Sequence, residues 1–270
     1  MIVSVCYLLL FLFVGLLLAR RAVPDADSAV LLPLGCGLGV SLLAALPALF
    51  ALPFGFTLPA AGLAGAAAAV LGGVLLRCGT RLRGAAKDPD CGASWACLLP
   101  VAAVTLFLLH THVLHMVNGT LHTGQSCYGD MPMHLGFINY IAQSGEFPPR
   151  YPLLGGTHRF GYPFLCETVS SVFLVLGADM RTAYLLPMLP ASLSVYGMFW
   201  QLARRVTGSA AKASLAFYLF FMGSGFGFVY FLGSAADFAG IFTGFYTTPT
   251  NFVEKNIVWV NPIADLLIPQ

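Results

Sequence analysis

A carboxylate, two arginines and a run of histidines fall close together in one part of this chain. These are the side chains best able to do chemistry. All six histidines lie between His110 and His158. His110, His112 and His115 come first. His122, His134 and His158 follow within VNGTLHTGQSCYGDMPMHLGFINYIAQSGEFPPRYPLLGGTHRFGYP. Imidazole is a common metal ligand. No HExxH or other standard ligand spacing is present, however, and on a helix only His112 and His115 would share a face. Histidines near a membrane interface can equally point to headgroups or neighbouring helices.

Asp130 is the sharper feature. DMPMHLGFINYIAQSG reads as a helix with Asp130 as N-cap, Pro132 in the first turn and Gly145 as its stop. Leu135, Ile138, Ile141 and Ala142 form its apolar stripe. Asp is a good N-cap, which is one reading. The other is functional: a carboxylate beside a membrane surface, with His134 one turn along, can take a proton from a hydroxyl or hold a divalent cation such as Mg or Mn. Asp130 and His134 would be the ligands in that case.

Arg150 and Arg159 follow in EFPPRYPLLGGTHRFGYP. Pro148, Pro149, Pro152 and Pro163 stiffen this stretch, and Gly155 and Gly156 allow a tight turn. A guanidinium grips phosphate through two parallel hydrogen bonds; it also anchors to lipid headgroups. With Tyr151, His158 and Tyr162 between and beside them, the arginines outline a site for an anionic substrate. Glu167 lies in an apolar segment, where an acid is costly unless paired. Arg159 and Arg181 are its candidate partners.

The elements that must hold these groups are membrane spans. The chain is 58% hydrophobic and 9% charged, with a mean hydropathy of +0.83. Soluble domains carry about 25% charged residues. Continuous apolar runs of about 20 residues indicate helices rather than a barrel. Spans are expected at residues 2–19, 28–54, 58–76, 94–116, 182–203 and 213–232. The third is rich in small residues, AAGLAGAAAAVLGG, a signal for close helix packing. Residues 162–177 are apolar but short, about 24 Å as a helix at 1.5 Å per residue, against a hydrocarbon core of about 30 Å.

Charge placement orients the spans. If residues 162–177 do not cross, one side holds Arg20, Arg21, Arg77, Arg81, Arg83, Lys87, Arg204, Arg205 and Lys212. The other holds only Arg150, Arg159, Arg181 and Lys255. The expected architecture is therefore all-α: a multi-pass transmembrane bundle of about six spans, both ends outside. A large external loop, 117–181, carries surface or juxtamembrane helices. Residues 162–177 lie on the outer surface or dip in and return.

The first span has its arginines after it rather than before it, which argues for an uncleaved anchor. The chain ends on LLIPQ without a polar tail, and it reads as the N-terminal part of a longer protein. The net charge of +2 gives no reason to expect nucleic acid as a partner.

Other strings carry less. The seven cysteines show no CxxC pair. Cys127 and Cys166 share the loop, where an oxidising compartment would allow a disulfide. GSGFGFVYF follows no strand and lies inside a span, so it is packing rather than a nucleotide loop. Ser224 has no histidine after it for a Ser–His pair in that order. Asn118-Gly119-Thr120 is a glycosylation sequon that matters only in a host that uses it.

An acid just outside a span, an amphipathic helix, a proline-rich turn and a short apolar helix ending in LG before the next span resemble the membrane GT-C glycosyltransferases. PFLCETVSSVFLVLGADMRTAYLLPMLPASLSVYGMFWQLARR is similar to their surface helix and following span. FYLFFMGSGFGFVYFLG and VWVNPIADLLIPQ resemble segments of bacterial multi-pass proteins grouped with them. The resemblance covers residues 94–270 and leaves 1–93 as an N-terminal addition of three spans. It implies catalysis in a large external loop at the plasma (inner) membrane. Asp130 would be the catalytic aspartate, as general base for the acceptor hydroxyl or as a metal ligand, and the donor would be a sugar carried on a polyprenyl phosphate. Arg150, Arg159 and Lys255 would then neutralise the leaving phosphate, with His134 and His158 near the acceptor. Two features depart from the family's pattern: the acidic loop follows the fourth span rather than the first, and YGDM offers one acid where several families carry two.

Readings from other classes stay open. A transporter or flippase of a lipid-linked or anionic solute would need charges or broken helices at mid-membrane, and the spans hold almost none. In a non-catalytic membrane scaffold, Asp130 would be only a cap.

Overall fold

A computed structural model describes residues 1–80, 88–123, 130–155, 158, 160–221, 232–236 and 238–239, with His112 as backbone only. Arg81, Arg83, Lys87, Cys127, Gly156, Arg159, Ser224 and Lys255 lie outside the described residues.

The protein is mostly helical. Four helices are long and apolar enough to cross a membrane: α1 (Ile2–Ala22), α2 (Ser28–Phe54), α3 (Leu58–Arg77) and the segment Cys91–Thr111. Regular α-helix in the fourth, α4, runs Cys91–Leu108 and passes through a π-helical turn at Leu109–Val113. A hairpin of β1 (Leu114–Val117) and β2 (Thr120–Thr123) follows. Then come α5 (Asp130–Ser144), α6 (Leu165–Val175), α7 (Met180–Thr207) and α8 (Ala210–Phe221). With 28 residues α7 is long enough to span, but Pro187, Pro190, Ser192, Ser194 and Gln201 dilute its apolar character. α8 has 12 residues.

Glycine sets the distance between the first two helices. Gly15 of α1 lies against Gly35 and Gly39 of α2, and a Cβ on Gly15 would run into their backbone atoms. The pair Gly35 and Gly39 is a GxxxG spacing, which lets two helices approach to backbone contact. α3 uses the small face expected of it. Ala60, Ala61, Ala64, Ala68 and Gly72 are its buried residues. The Tyr7 hydroxyl donates to the Ala61 carbonyl at 2.8 Å, and Gly72 meets Val14. α7 closes on α2 in the same way, with Gly197 on Pro33.

Polar contacts mark the two ends of the bundle. At one end Asp27 caps α2, accepting from the N–H groups of Ala29 and Val30 at 3.0 and 3.3 Å. It also accepts from the N–H of Asp88 at 3.2 Å. Arg204, near the end of α7, reaches Asp90 at 2.6 Å and Asp88 at 3.1 Å. Arg20 donates to the carbonyls of Pro24 and Ala26. At the other end the Phe56 N–H, just past α2, donates to Gly145 at the close of α5. There too the Arg181 Nε, at the start of α7, donates to the Leu114 carbonyl at 2.9 Å. The segment between α4 and α7 thus leaves and re-enters the bundle at one end.

Two expectations gain or change in detail. Residues 162–177 are expected to lie at the outer surface of the membrane or to dip in and return, a placement that burial by neighbouring helices does not exclude. The helix formed there, α6, begins at Leu165 and buries the consecutive run from Glu167 to Phe173, packed against α2, α5 and α7. Its hydroxyls make that burial tolerable. Ser171 donates to the carbonyls of Ile138 and Glu167 at 3.0 and 2.8 Å, and Thr168 donates to Leu165 at 2.6 Å. Buried polar groups without such partners cost several kcal/mol. Second, His112 and His115 share no helix face, because the helix ends before His115. That residue pairs with His122 across the hairpin, their rings stacked at 6.0 Å.

Replacing Gly15 with Leu should separate α1 from α2 and cost about 1–3 kcal/mol, the usual range for overpacking. A thermal unfolding midpoint of the full chain in detergent reads the loss. Gly62→Leu is the control, because nothing lies within 4 Å of a Cβ at that position, and the midpoint should stay unchanged.

Candidate active site

The loop's chemistry is organised by α5 and α6. The buried face of α5 is Met131, His134, Phe137, Ile138 and Ile141. That face is turned by one residue from the Leu135–Ala142 stripe expected, and it carries His134 inward. There the His134 Nδ1 meets the Glu167 Oε1 of α6 at 2.5 Å, both side chains fully buried. This is the partner of Glu167. Arg181 is engaged elsewhere, with Leu114 and with His110, and Arg159 lies outside the described residues. Burial raises the Glu167 carboxyl above its ordinary value, and the hydrogen bond from His134 opposes the rise. The other two polar atoms of the pair, His134 Nε2 and Glu167 Oε2, have no hydrogen-bond partner among the described residues.

Aromatic rings wall the pair. Tyr162 sits edge-on to His134 at 5.8 Å. Phe137 contacts Tyr151 at 5.6 Å and Phe160 at 4.6 Å. The Tyr162 hydroxyl is pushed up from its usual range by loss of water, then by the nearby Cys166, Glu167, Asp130 and Tyr151. Tyr162 therefore feels both the exposed acid and the buried one. Asp130 itself is the first residue of α5 and is exposed. Its helix ends at Gly145, where φ is +67°, as the sequence predicts.

The remaining candidates are placed as follows. Arg150 pairs with Glu146 at 3.1 Å, with 52% and 42% of the two side chains exposed. Tyr151 packs on Phe137 and Phe160, and its N–H donates to the His158 carbonyl at 3.0 Å. His158 is exposed. Cys166 is a free thiol, and burial, followed by the Glu167 charge, pushes it up to about 11. Among the described residues no three His, Cys, Asp or Glu side chains converge as a metal would require. His134, offered with Asp130 as a ligand, spends its Nδ1 on Glu167 instead.

Sequence reasoning missed a cavity of about 320 Å³ on the far side of α6, walled by α2 and α7. Val40, Ala44, Cys166, Val169, Tyr184 and Met188 are among its lining residues. Cys166 links the two regions: it lines the cavity, and its Sγ lies 3.9 Å from Glu167 Oε1. No family model, curated protein or solved structure matches the chain.

Removing one member of a buried pair costs about 3–5 kcal/mol. Glu167→Ala should therefore lower stability by roughly that amount, and Glu167→Gln, which still accepts from His134, by clearly less. The pH dependence follows from the raised carboxyl. Its stabilising contribution is complete below the ordinary value of 4.5 and is lost as pH rises through the higher folded value. Unfolding midpoints against pH should fall across that window in the parent chain and lie flatter in Glu167→Gln.

Proposed function

We propose that the chain is part of an integral membrane glycosyltransferase of GT-C type. It would move a sugar from a polyprenyl-phosphate donor to an acceptor on the external face of the plasma membrane. In this reading α7 and α8 supply the fifth and sixth spans, and residues 117–181 face outward. The observation that carries it is the arrangement around α5 and α6. An exposed carboxylate, Asp130, begins α5. The His134–Glu167 bond fastens that helix to α6, whose other face lines an apolar cavity among bundle helices. One rigid unit thus joins a candidate base to a recess suited to hydrocarbon.

The chemistry is a displacement. Asp130 accepts the proton of the acceptor hydroxyl as its oxygen bonds to the anomeric carbon. The bond from that carbon to the phosphate oxygen breaks, and polyprenyl phosphate leaves. Arg150 can exchange Glu146 for the departing phosphate, because an exposed ion pair is worth only about 0–1 kcal/mol. Arg159 and Lys255 are the further cations of the proposal. His134 acts by holding α5, while His158, Tyr151 and Tyr162 border the acceptor side.

A second reading has one observation in its favour. The buried His134–Glu167 pair holds a proton away from water, as a proton-coupled transporter requires.

Asp130→Asn should lower sugar transfer in membranes by about 10²–10⁴-fold, the usual range for a lost general base, with the unfolding midpoint unchanged. Unaltered turnover removes Asp130 from the mechanism. Uptake of an anionic solute by vesicles, abolished by Glu167→Gln without any transfer activity, would decide for transport.

A further inference from the structure

A second recess lies apart from α6, between the end of α4 and the start of α7. It measures about 260 Å³ and is lined by Leu106, Leu109, His110, Arg181, Leu185 and Leu189, among others. Its floor is leucine from two helices, and Leu106 and Leu189 are 51% and 42% exposed. In a membrane such leucines face lipid. Its rim is cationic. Arg181 is held by its Nε on the Leu114 carbonyl at 2.9 Å. Its Nη2 lies 3.0 Å from His110 Nδ1 and 3.3 Å from the His110 carbonyl. These contacts fix the plane of the guanidinium and leave Nη1 without a protein partner among the described residues. The neighbouring acid, Asp179, is occupied with Thr182, accepting from its N–H at 2.9 Å and its hydroxyl at 2.6 Å. His115 and His122 add imidazoles nearby, and burial, then His122 and Arg181, push the His115 imidazole below its usual range.

We propose that this groove binds an anionic phospholipid of the surrounding leaflet, its phosphate on the outer edge of the Arg181 guanidinium and one acyl chain along the leucines. The lengthwise split from cation to hydrocarbon selects the occupant. A free phosphate would leave the leucines uncovered, and a zwitterionic lipid would bring its own headgroup cation to a rim that already carries one. Arginine suits phosphate because its donors lie in a fixed fork, and basic side chains at the membrane surface favour anionic headgroups. The groove is separate from the cavity behind α6, so the proposal does not rest on glycosyl transfer.

Native mass spectrometry of the full chain in detergent, titrated with phosphatidylglycerol and with phosphatidylcholine, tests it. The parent chain should retain one phosphatidylglycerol about fivefold more tightly than phosphatidylcholine, the preference expected from one basic side chain at a surface. Arg181→Gln should erase the preference. Because Arg181 also supports the hairpin, Leu189→Trp provides the second variant: it fills the groove from its exposed side and should reduce retention of both lipids. Equal retention of the two lipids by the parent chain overturns the proposal. Phosphatidylglycerol binding that survives both substitutions also overturns it, as does displacement of phosphatidylglycerol from the groove by polyprenyl phosphate at equal concentration.

Discussion

The contact on which the loop depends is the hydrogen bond between His134 and Glu167. It is the join between α5 and α6, and it is sealed from water. Two ionisable groups in such a place lose their hydration and recover only what they give each other. Here the recovery is one short bond and a weak one from the Cys166 thiol, with the second nitrogen and second oxygen left unmatched among the described residues. The arrangement persists because apolar packing surrounds it: Phe137, Ile138 and Ile141 from one helix, Val169, Val172 and Phe173 from the other. A hydrophobic pair at these positions would stabilise the join at lower cost. The bond adds direction instead, since it fixes the rotation of α5 and hence the face on which Asp130 begins.

That rotation matters because the bundle beneath is rigid where it meets the loop. Glycines bring α1 and α2 to backbone contact and seat α7 on the Pro33 ring of α2, so these helices cannot slide without collision. α6 is wedged among α2, α5 and α7. The exposed acid, the buried pair and the cavity behind α6 therefore share one frame. Arg150, by contrast, sits in an exposed and exchangeable pair with Glu146.

Much of the frame was legible in the sequence because it follows from composition. Four apolar helices came from hydropathy alone, and α5 came from Asp130, Pro132 and Gly145. The small face of α3 announced its own packing. What stayed hidden depends on contacts distant along the chain. Nothing local links His134 to Glu167, though the spacing of Met131, His134, Ile138 and Ile141 would have put His134 on the inner face had the stripe been read one residue over. The hairpin was readable and missed. Asn118-Gly119 is the dipeptide favoured in two-residue turns with positive φ, and both residues adopt it, at +49° and +80°. The packing of α6 stayed hidden because an apolar run of 11 residues does not name the helices that cover it.

The Arg204 clasp has a consequence for how the chain is made. Asp27, Asp88 and Asp90 gather at one end of the bundle, and the guanidinium that bridges the last two comes from the far end of α7. A ribosome delivers all three acids more than a hundred residues before that arginine emerges. Through this interval the nascent bundle carries acids without their bridging cation, and its polar end is closed last. Synthesis order thus makes the late helix the lock on the early ones.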